Sequence, residues 1–393
     1  MPARRLPLIS AVVRLVAGVV IAAVLAIPPL AADEGLPLAS YLQRLRTALA
    51  RQVAGGEQPR ELTARVTAES RSGVRRLRIR DFQLISDSQR SFAGYNLGAG
   101  SWDTEVGVLG SAVATELLVQ AAMSGIELEA VDVVFTSRQD APGVAQRSRV
   151  SYPRNLRYDA YLVSPASDAE LEALRLKVES SSPVLNLVSQ QQDIPHGRVV
   201  YTPSPALDPD APPGLREFLV EKRAALVGRQ RGDGPREAPT LRAHVRVEGG
   251  TGLRHVRVGD HRFQFLHDTP RTLAGFDLGP TVEEHQLGVM GTCLTHIFEI
   301  QAAQRRVPLD ALEVEVKGTL TPRTAAQAPR LRDVRYTVFI TSPAASAEID
   351  ALRQAVESVC PIYNLLKDPQ AITGRVIRQP FTARPTESAA AAR

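Results

Sequence analysis

Cysteine is nearly absent from this chain: 393 residues hold two, Cys293 and Cys360, too few for a disulfide scaffold. No block of lysine and arginine interleaved with aromatics occurs. The 47 basic and 42 acidic residues leave a net charge of only +5, which reads as a mixed solvated surface rather than a nucleic-acid footprint. Metal-ligand spacing is missing too. His296 follows Cys293 by nearly one helical turn, but no third and fourth ligand stand at usable spacing, so no metal and no cofactor is expected. His261, His267 and His285 form no triad with a serine or an acid. What remains is an ordinary 44% hydrophobic content, enough to build a core in each of two domains.

The amino terminus carries Arg4, Arg5 and Arg14, then an apolar run from Leu15 to Leu30 and the small residues before Asp33. A charged start, an apolar middle and a small-residue end make an export signal of residues 1–34, with cleavage near Ala32. The alternative is an uncleaved anchor, although the run is marginal for about 30 Å of hydrocarbon. Either places the remainder beyond the membrane, in the periplasm or cell envelope, with membrane contact only through this segment.

The rest of the chain reads as two copies of one unit. AGYNLG at Ala93–Gly98 returns as AGFDLG at Ala274–Gly279, and VGVLGSA at Val106–Ala112 as LGVMGTC at Leu287–Cys293, both at an offset of 181. LEAVDVVF from Leu128 returns as LDALEVEV from Leu309 at the same offset. The run from Arg157 matches the run from Arg335 at 178, so a short loop deletion lies between. Even the leading helix recurs, with YLQRLRTALARQ from Tyr41 answered by FLVEKRAALVGRQ from Phe218. A tandem duplication follows: copies at 35–201 and 215–380, the proline-rich linker Thr202–Gly214, and a disordered tail at 381–393.

Each copy is expected to run from a leading helix through strands to a central helix, then strands, a second helix and a closing strand. In the second copy, strands are expected at Leu241–Val247, Leu253–Val258, Phe263–Leu266, Leu312–Leu320 and Val334–Thr341. The central helix lies in Glu283–Arg306, where Leu287, Met290, Leu294, Ile297 and Phe298 recur at helical steps. Gly288, Gly291 and Ala302 are small enough there for another element to pack close. A helix from about Ser346 to Val359, with Ser346 as N-cap, is stopped by Pro361.

The copies differ at their most reactive positions. Cys293 corresponds to Ala112, Cys360 to Ser182 and His296 to Thr115, while Glu283 and Glu284 correspond to Trp102 and Asp103. Both thiols are present in one copy and both are missing from the other. A cysteine pair acting as a unit would produce that pattern, and so would a structural disulfide.

FDLGPTVEEHQLGVMGTCL and ESVCPIYNLL resemble the OsmC/Ohr family of small peroxide-handling proteins. The glycine-rich approach, the acidic residue, the central-helix cysteine and the second cysteine before proline carry the likeness. It spans roughly Leu241–Ile377, and more weakly Leu62–Val200. Val282 departs from the family, which has proline there. The resemblance implies an α+β fold: antiparallel sheets around central helices, with the two tandem copies forming a covalent pseudo-dimer.

It also implies a chemistry. Cys293 would attack an organic hydroperoxide as a thiolate and Cys360 would resolve the product to a disulfide, which an external dithiol reductant reopens. The arginine that stabilises the thiolate would be Arg254 or Arg257, or one from the first copy. The glutamate that orients it would be Glu284, with Glu283 the alternative. Each residue also has a plainer reading: Cys293 as a packed small hydrophobe, the glutamates as complements to a helix dipole, the arginines as exposed strand residues, His296 as a satisfied helix histidine. A non-enzymatic exported protein that binds a small apolar ligand, stapled by Cys293–Cys360, is the second functional reading.

Overall fold

The computed structural model describes residues 37–138, 150–205, 213–230 and 240–380. The amino-terminal segment, linker residues 206–212 and the 381–393 tail lie outside the described residues. The first half runs α1 (Leu38–Gly55), β1 (Arg60–Ala68), β2 (Arg75–Ile79), β3 (Phe82–Ser86), α2 (Ser101–Ser124), β4 (Ala130–Arg138) and β5 (Leu156–Val163), then α3 (Asp168–Ser181), α4 (Pro183–Ser189) and β6 (Arg198–Pro203). The second half repeats the order with α5 (Leu215–Gln230), β7 (Thr240–Val247), β8 (Arg254–Val258), β9 (Phe263–His267), α6 (Val282–Arg305), β10 (Ala311–Leu320) and β11 (Leu331–Ser342). It closes with α7 (Ser346–Val359), α8 (Pro361–Lys367) and β12 (Ile372–Gln379). The fold is mixed α+β, as expected.

The halves do not fold side by side. One six-stranded sheet is ordered β3-β2-β1-β10-β11-β6 and the other β12-β5-β4-β7-β8-β9, so each takes strands from both halves. The seam of the first is the antiparallel pairing of β1 with β10, Val66 opposite Val314, and the seam of the second is β4 with β7. The sheets are not wholly antiparallel: β6 runs parallel to β11 and β12 parallel to β5. Each closing strand lies at a sheet edge beside a strand of the other half, in the sheet that also holds its own half's first three strands. Thr202 and Pro203, expected in the linker, end β6 opposite Thr341 and Ser342.

Helix α6 packs on β1, β2 and β10, and α2 on β4, β7 and β8, with the two helices in contact. The small residues on α6 permit this approach: a Cβ on Gly291 would meet Val66 at 2.8 Å, and one on Gly288 would meet Leu77 at 2.7 Å. Helix α2 is long and apolar enough to cross a membrane, but it is buried in the core. Matching positions make matching contacts. Gly73 sits under the Phe218 ring and Gly252 under the Tyr41 ring, and both glycines have a positive φ that suits a residue without Cβ.

Two helix ends differ from expectation. Ala345, not Ser346, holds the N-cap of α7, and Glu348 accepts from its N–H at 3.1 Å. Pro361 ends α7 but also opens α8, with Cys360 in extended backbone between them.

Candidate functional site

Cys293 lies in the middle of α6 and Cys360 at the α7–α8 junction, both buried and both free thiols. Their sulfurs are 3.5 Å apart, in contact but well beyond the roughly 2.05 Å of a disulfide. Cys293, His296 and Glu299 follow one another at three-residue steps and so share one side of α6.

Facing them is Arg75, from β2 of the first half, with 2% of its side chain exposed. Its Nη1 donates to the Gly73 carbonyl at 2.9 Å and to Ser88 Oγ at 3.1 Å, and stands 3.6 Å from Glu299 Oε2. Arg75 Nη1 also lies 3.3 Å from His296 Nδ1, and Ser88 Oγ 3.1 Å from the same atom. A guanidinium can only donate, so His296 Nδ1 accepts and its proton sits on Nε2. Burial, with the charges of Lys222 and Arg75, pushes the His296 pKa down to about 3. The ring is neutral, and orients Arg75 rather than serving as a base at neutral pH.

Lys222 of α5 completes the group, with Nζ 2.6 Å from Glu299 Oε2 and neither side chain exposed. Burial alone would raise the Glu299 carboxyl. The charges of Lys222 and Arg75 act against it, and the pKa lies at about 2, so Glu299 is a carboxylate. Asp87, whose oxygens accept from the Ser88, Tyr95 and Leu97 N–H groups, lies near Lys222 as well.

Around the sulfurs the effects divide. Burial pushes the Cys293 thiol up. Hydrogen bonding from Cys360, the Ile362 N–H and the Ser101 side chain, together with the charge of Arg75, brings it below an ordinary thiol. Burial and the adjacent Cys293 hold Cys360 well above one. Under limiting iodoacetamide at neutral pH, Cys293 is therefore expected to be alkylated first and Cys360 to lag. Peptide mapping by mass spectrometry checks this, and equal labelling of both sulfurs would contradict it.

The other residues singled out in the sequence lie elsewhere. Arg254 is buried at the matching place in the first half's site. There it donates to the Gly252 carbonyl at 2.9 Å and faces Tyr41, Asp268 and Glu283 without an ion pair among the described residues. Arg257 is exposed and donates to Gln264 at 3.2 Å. Glu283 is half-buried and its charge acts on Arg254 and Glu116. Glu284 caps α6: its carboxylate accepts from the Thr281 N–H at 2.9 Å, Thr281 Oγ1 accepts in return, and Arg80 pairs with it at 2.8 Å. His267 and His285 meet at 2.8 Å in a separate buried pair. Among the described residues, no group of three or more His, Cys, Asp or Glu could hold a metal.

Arg75, Lys222, Glu299, Ser88 and Ser101 were not singled out in the sequence. A signal for two of them is present in the repeat, which sets Leu118 opposite Glu299 and Leu45 opposite Lys222, a charge against a leucine at buried positions.

A cleft of about 540 Å³ opens between the β2–β3 and β8–β9 hairpins. Phe82, Leu84, Phe263 and Phe265 line it, together with His285 and Thr292, the residue before Cys293.

Three comparisons bear on this arrangement. The model of the OsmC-like protein family matches residues 275–374. No curated protein matches the chain. Among solved structures, the chain is similar to an organic hydroperoxide resistance protein OsmC from Legionella pneumophila, at 21% identity over 35% of this chain and 95% of that one, with a TM-score of 0.28. It is also similar to an OsmC-like protein from Mycoplasma pneumoniae, at 20% identity over 32% of this chain and 89% of that one, with a TM-score of 0.27. Both thiols fall within residues 275–374, the stretch that matches the OsmC-like family model.

Proposed function

We propose that the protein is a thiol peroxidase that reduces organic hydroperoxides through Cys293 and Cys360. The observation that carries this reading is the 3.5 Å approach of two free sulfurs, one with a lowered and one with a raised pKa, beside a buried arginine. The Cys293 thiolate attacks the outer oxygen of the peroxide. The O–O bond breaks, the alkoxide leaves and takes a proton as the alcohol, and Cys293 becomes a sulfenic acid. Cys360 then displaces water from that sulfenic acid to form the disulfide, and an external dithiol restores both thiols as it is oxidised itself. The charge of Arg75 stabilises the thiolate and the negative charge that develops as the O–O bond breaks. Phe82, Leu84, Phe263 and Phe265 on the walls of the 540 Å³ cleft, which reaches Thr292 beside Cys293, suit an organic rather than an inorganic peroxide.

Full burial of both sulfurs favours a second reading, in which a permanent Cys293–Cys360 bond staples α6 to the α7–α8 junction and the fold binds a small apolar ligand. One experiment separates the two. Reduced protein is given a stoichiometric dose of cumene hydroperoxide, and free thiols are titrated with time. Rapid loss of both thiols with release of the alcohol, and a sulfenic acid trapped by dimedone at Cys293 in Cys360→Ser, are expected of the peroxidase. Thiols that survive the dose leave the staple.

A further inference from the structure

The chain contains its own control for the thiol site, because the first half builds the same surroundings without thiols. Five buried or nearly buried positions change together: Lys222, Cys293, His296, Glu299 and Cys360 stand where the first half has Leu45, Ala112, Thr115, Leu118 and Ser182. The arginine does not change, since Arg75 and Arg254 occupy matching places on β2 and β8. Their settings differ. Arg75 is held by Glu299, Ser88 and the ring of His296, whereas Arg254 has one carbonyl acceptor and leaves Nε and Nη2 buried without a partner. A buried lysine–glutamate pair stabilises little by itself, because desolvation offsets the attraction, and the leucines of the first half fill the same role in packing. Its confinement to the thiol-bearing half calls for a role in the chemistry.

We infer that Lys222, from the helix that leads the second half, is a positioning residue for the thiol site: it balances Glu299, so that Glu299 can hold Arg75 against Cys293 without cancelling its charge. The inference rests on the reading of Cys293 as a reactive thiolate. The charges that face the group are those of Arg75 from β2, Lys222 from α5, Glu299 from α6 and Asp87 from the loop after β3. His296 is neutral, and Ser101 and Cys360 contribute only hydrogen bonds to the sulfur. Without Lys222, the Glu299 carboxylate is left with Arg75 as its nearest cation, and the positive potential at Cys293 falls.

The test measures the rate of Cys293 alkylation by iodoacetamide against pH in the full chain, with cumene hydroperoxide consumption measured in parallel. Lys222→Met is expected to move the alkylation midpoint up by about one pH unit, with a loss of rate below the midpoint of up to about tenfold. Lys222→Arg is expected to restore the midpoint, since it keeps the charge. If Lys222→Met does not fold, Lys222→Leu with Glu299→Leu, which copies the first half, carries the test and is expected to show a similar loss. An unchanged midpoint in the folded variant overturns the inference, as does Lys222→Arg behaving like Lys222→Met. Alkylation needs no peroxide, so a shifted midpoint in a protein that does not consume hydroperoxide would sink the peroxidase and leave the positioning role standing. Hydroperoxide turnover unaffected by Lys222→Met would do the reverse.

Discussion

Arg75→Met is expected to slow the reaction of Cys293 with cumene hydroperoxide by roughly 100-fold, the scale seen when one donor to a developing anion is removed. Arg254→Met is expected to leave that rate within about twofold, since the charge of Arg75, not Arg254, acts on the sulfur. Stopped-flow consumption of the peroxide by reduced protein measures both. The comparison is sharp because the two arginines occupy matching positions and are both buried, so a general packing defect would strike both variants. Arg254→Met also removes a guanidinium whose Nε and Nη2 are buried without partners, so it is expected to fold at least as stably as the parent. Equal losses in the two variants would mean that neither charge reaches the sulfur specifically. An inert Arg75→Met would remove the basis for a stabilised thiolate.

Glu299→Leu is expected to destabilise the protein by about 3–5 kcal/mol, because it strands two buried cations, Arg75 and Lys222, beside one another. Adding Lys222→Leu is expected to recover most of that loss. The first half already packs Leu118 and Leu45 at the matching places, and replacing a buried pair by apolar groups is often neutral or better. Urea denaturation of the parent, the single variant and the pair gives the three free energies, with equal slopes required for the comparison. Recovery of stability without recovery of Cys293 reactivity would separate what the ion pair does for the thiol from what it does for the fold. Failure of the second leucine to recover stability would mean that the two sites pack differently despite their matched sequences.

Much of this architecture is legible in the chain. The strands at Thr240–Val247 and Phe263–His267 follow from alternation and turn residues, and the second-half helix Ser346–Val359 from its acidic first turn and following proline. The repeat and the paired thiols are also visible without coordinates, because each depends on residues near one another in sequence or on like segments at a fixed offset. Local order of this kind is set by side-chain periodicity and backbone preference, which a linear reading captures.

Partner choice is a different matter. The β1–β10 and β4–β7 seams interleave the halves, and that interleaving brings Arg75 of one half to Cys293 of the other. No local pattern distinguishes Arg75 from Arg254, since both follow a positive-φ glycine and both open a five-residue strand. Which arginine lies near the thiol follows only when apolar faces such as Val66, Leu77 and Val316 close over Gly288 and Gly291. The same closure buries Glu299 with Lys222 and leaves Glu284 capping its own helix. The sequence by itself determined the elements, the repeat and the thiols; tertiary structure decided which charges meet them, because those charges come from distant segments joined by burial of apolar surface.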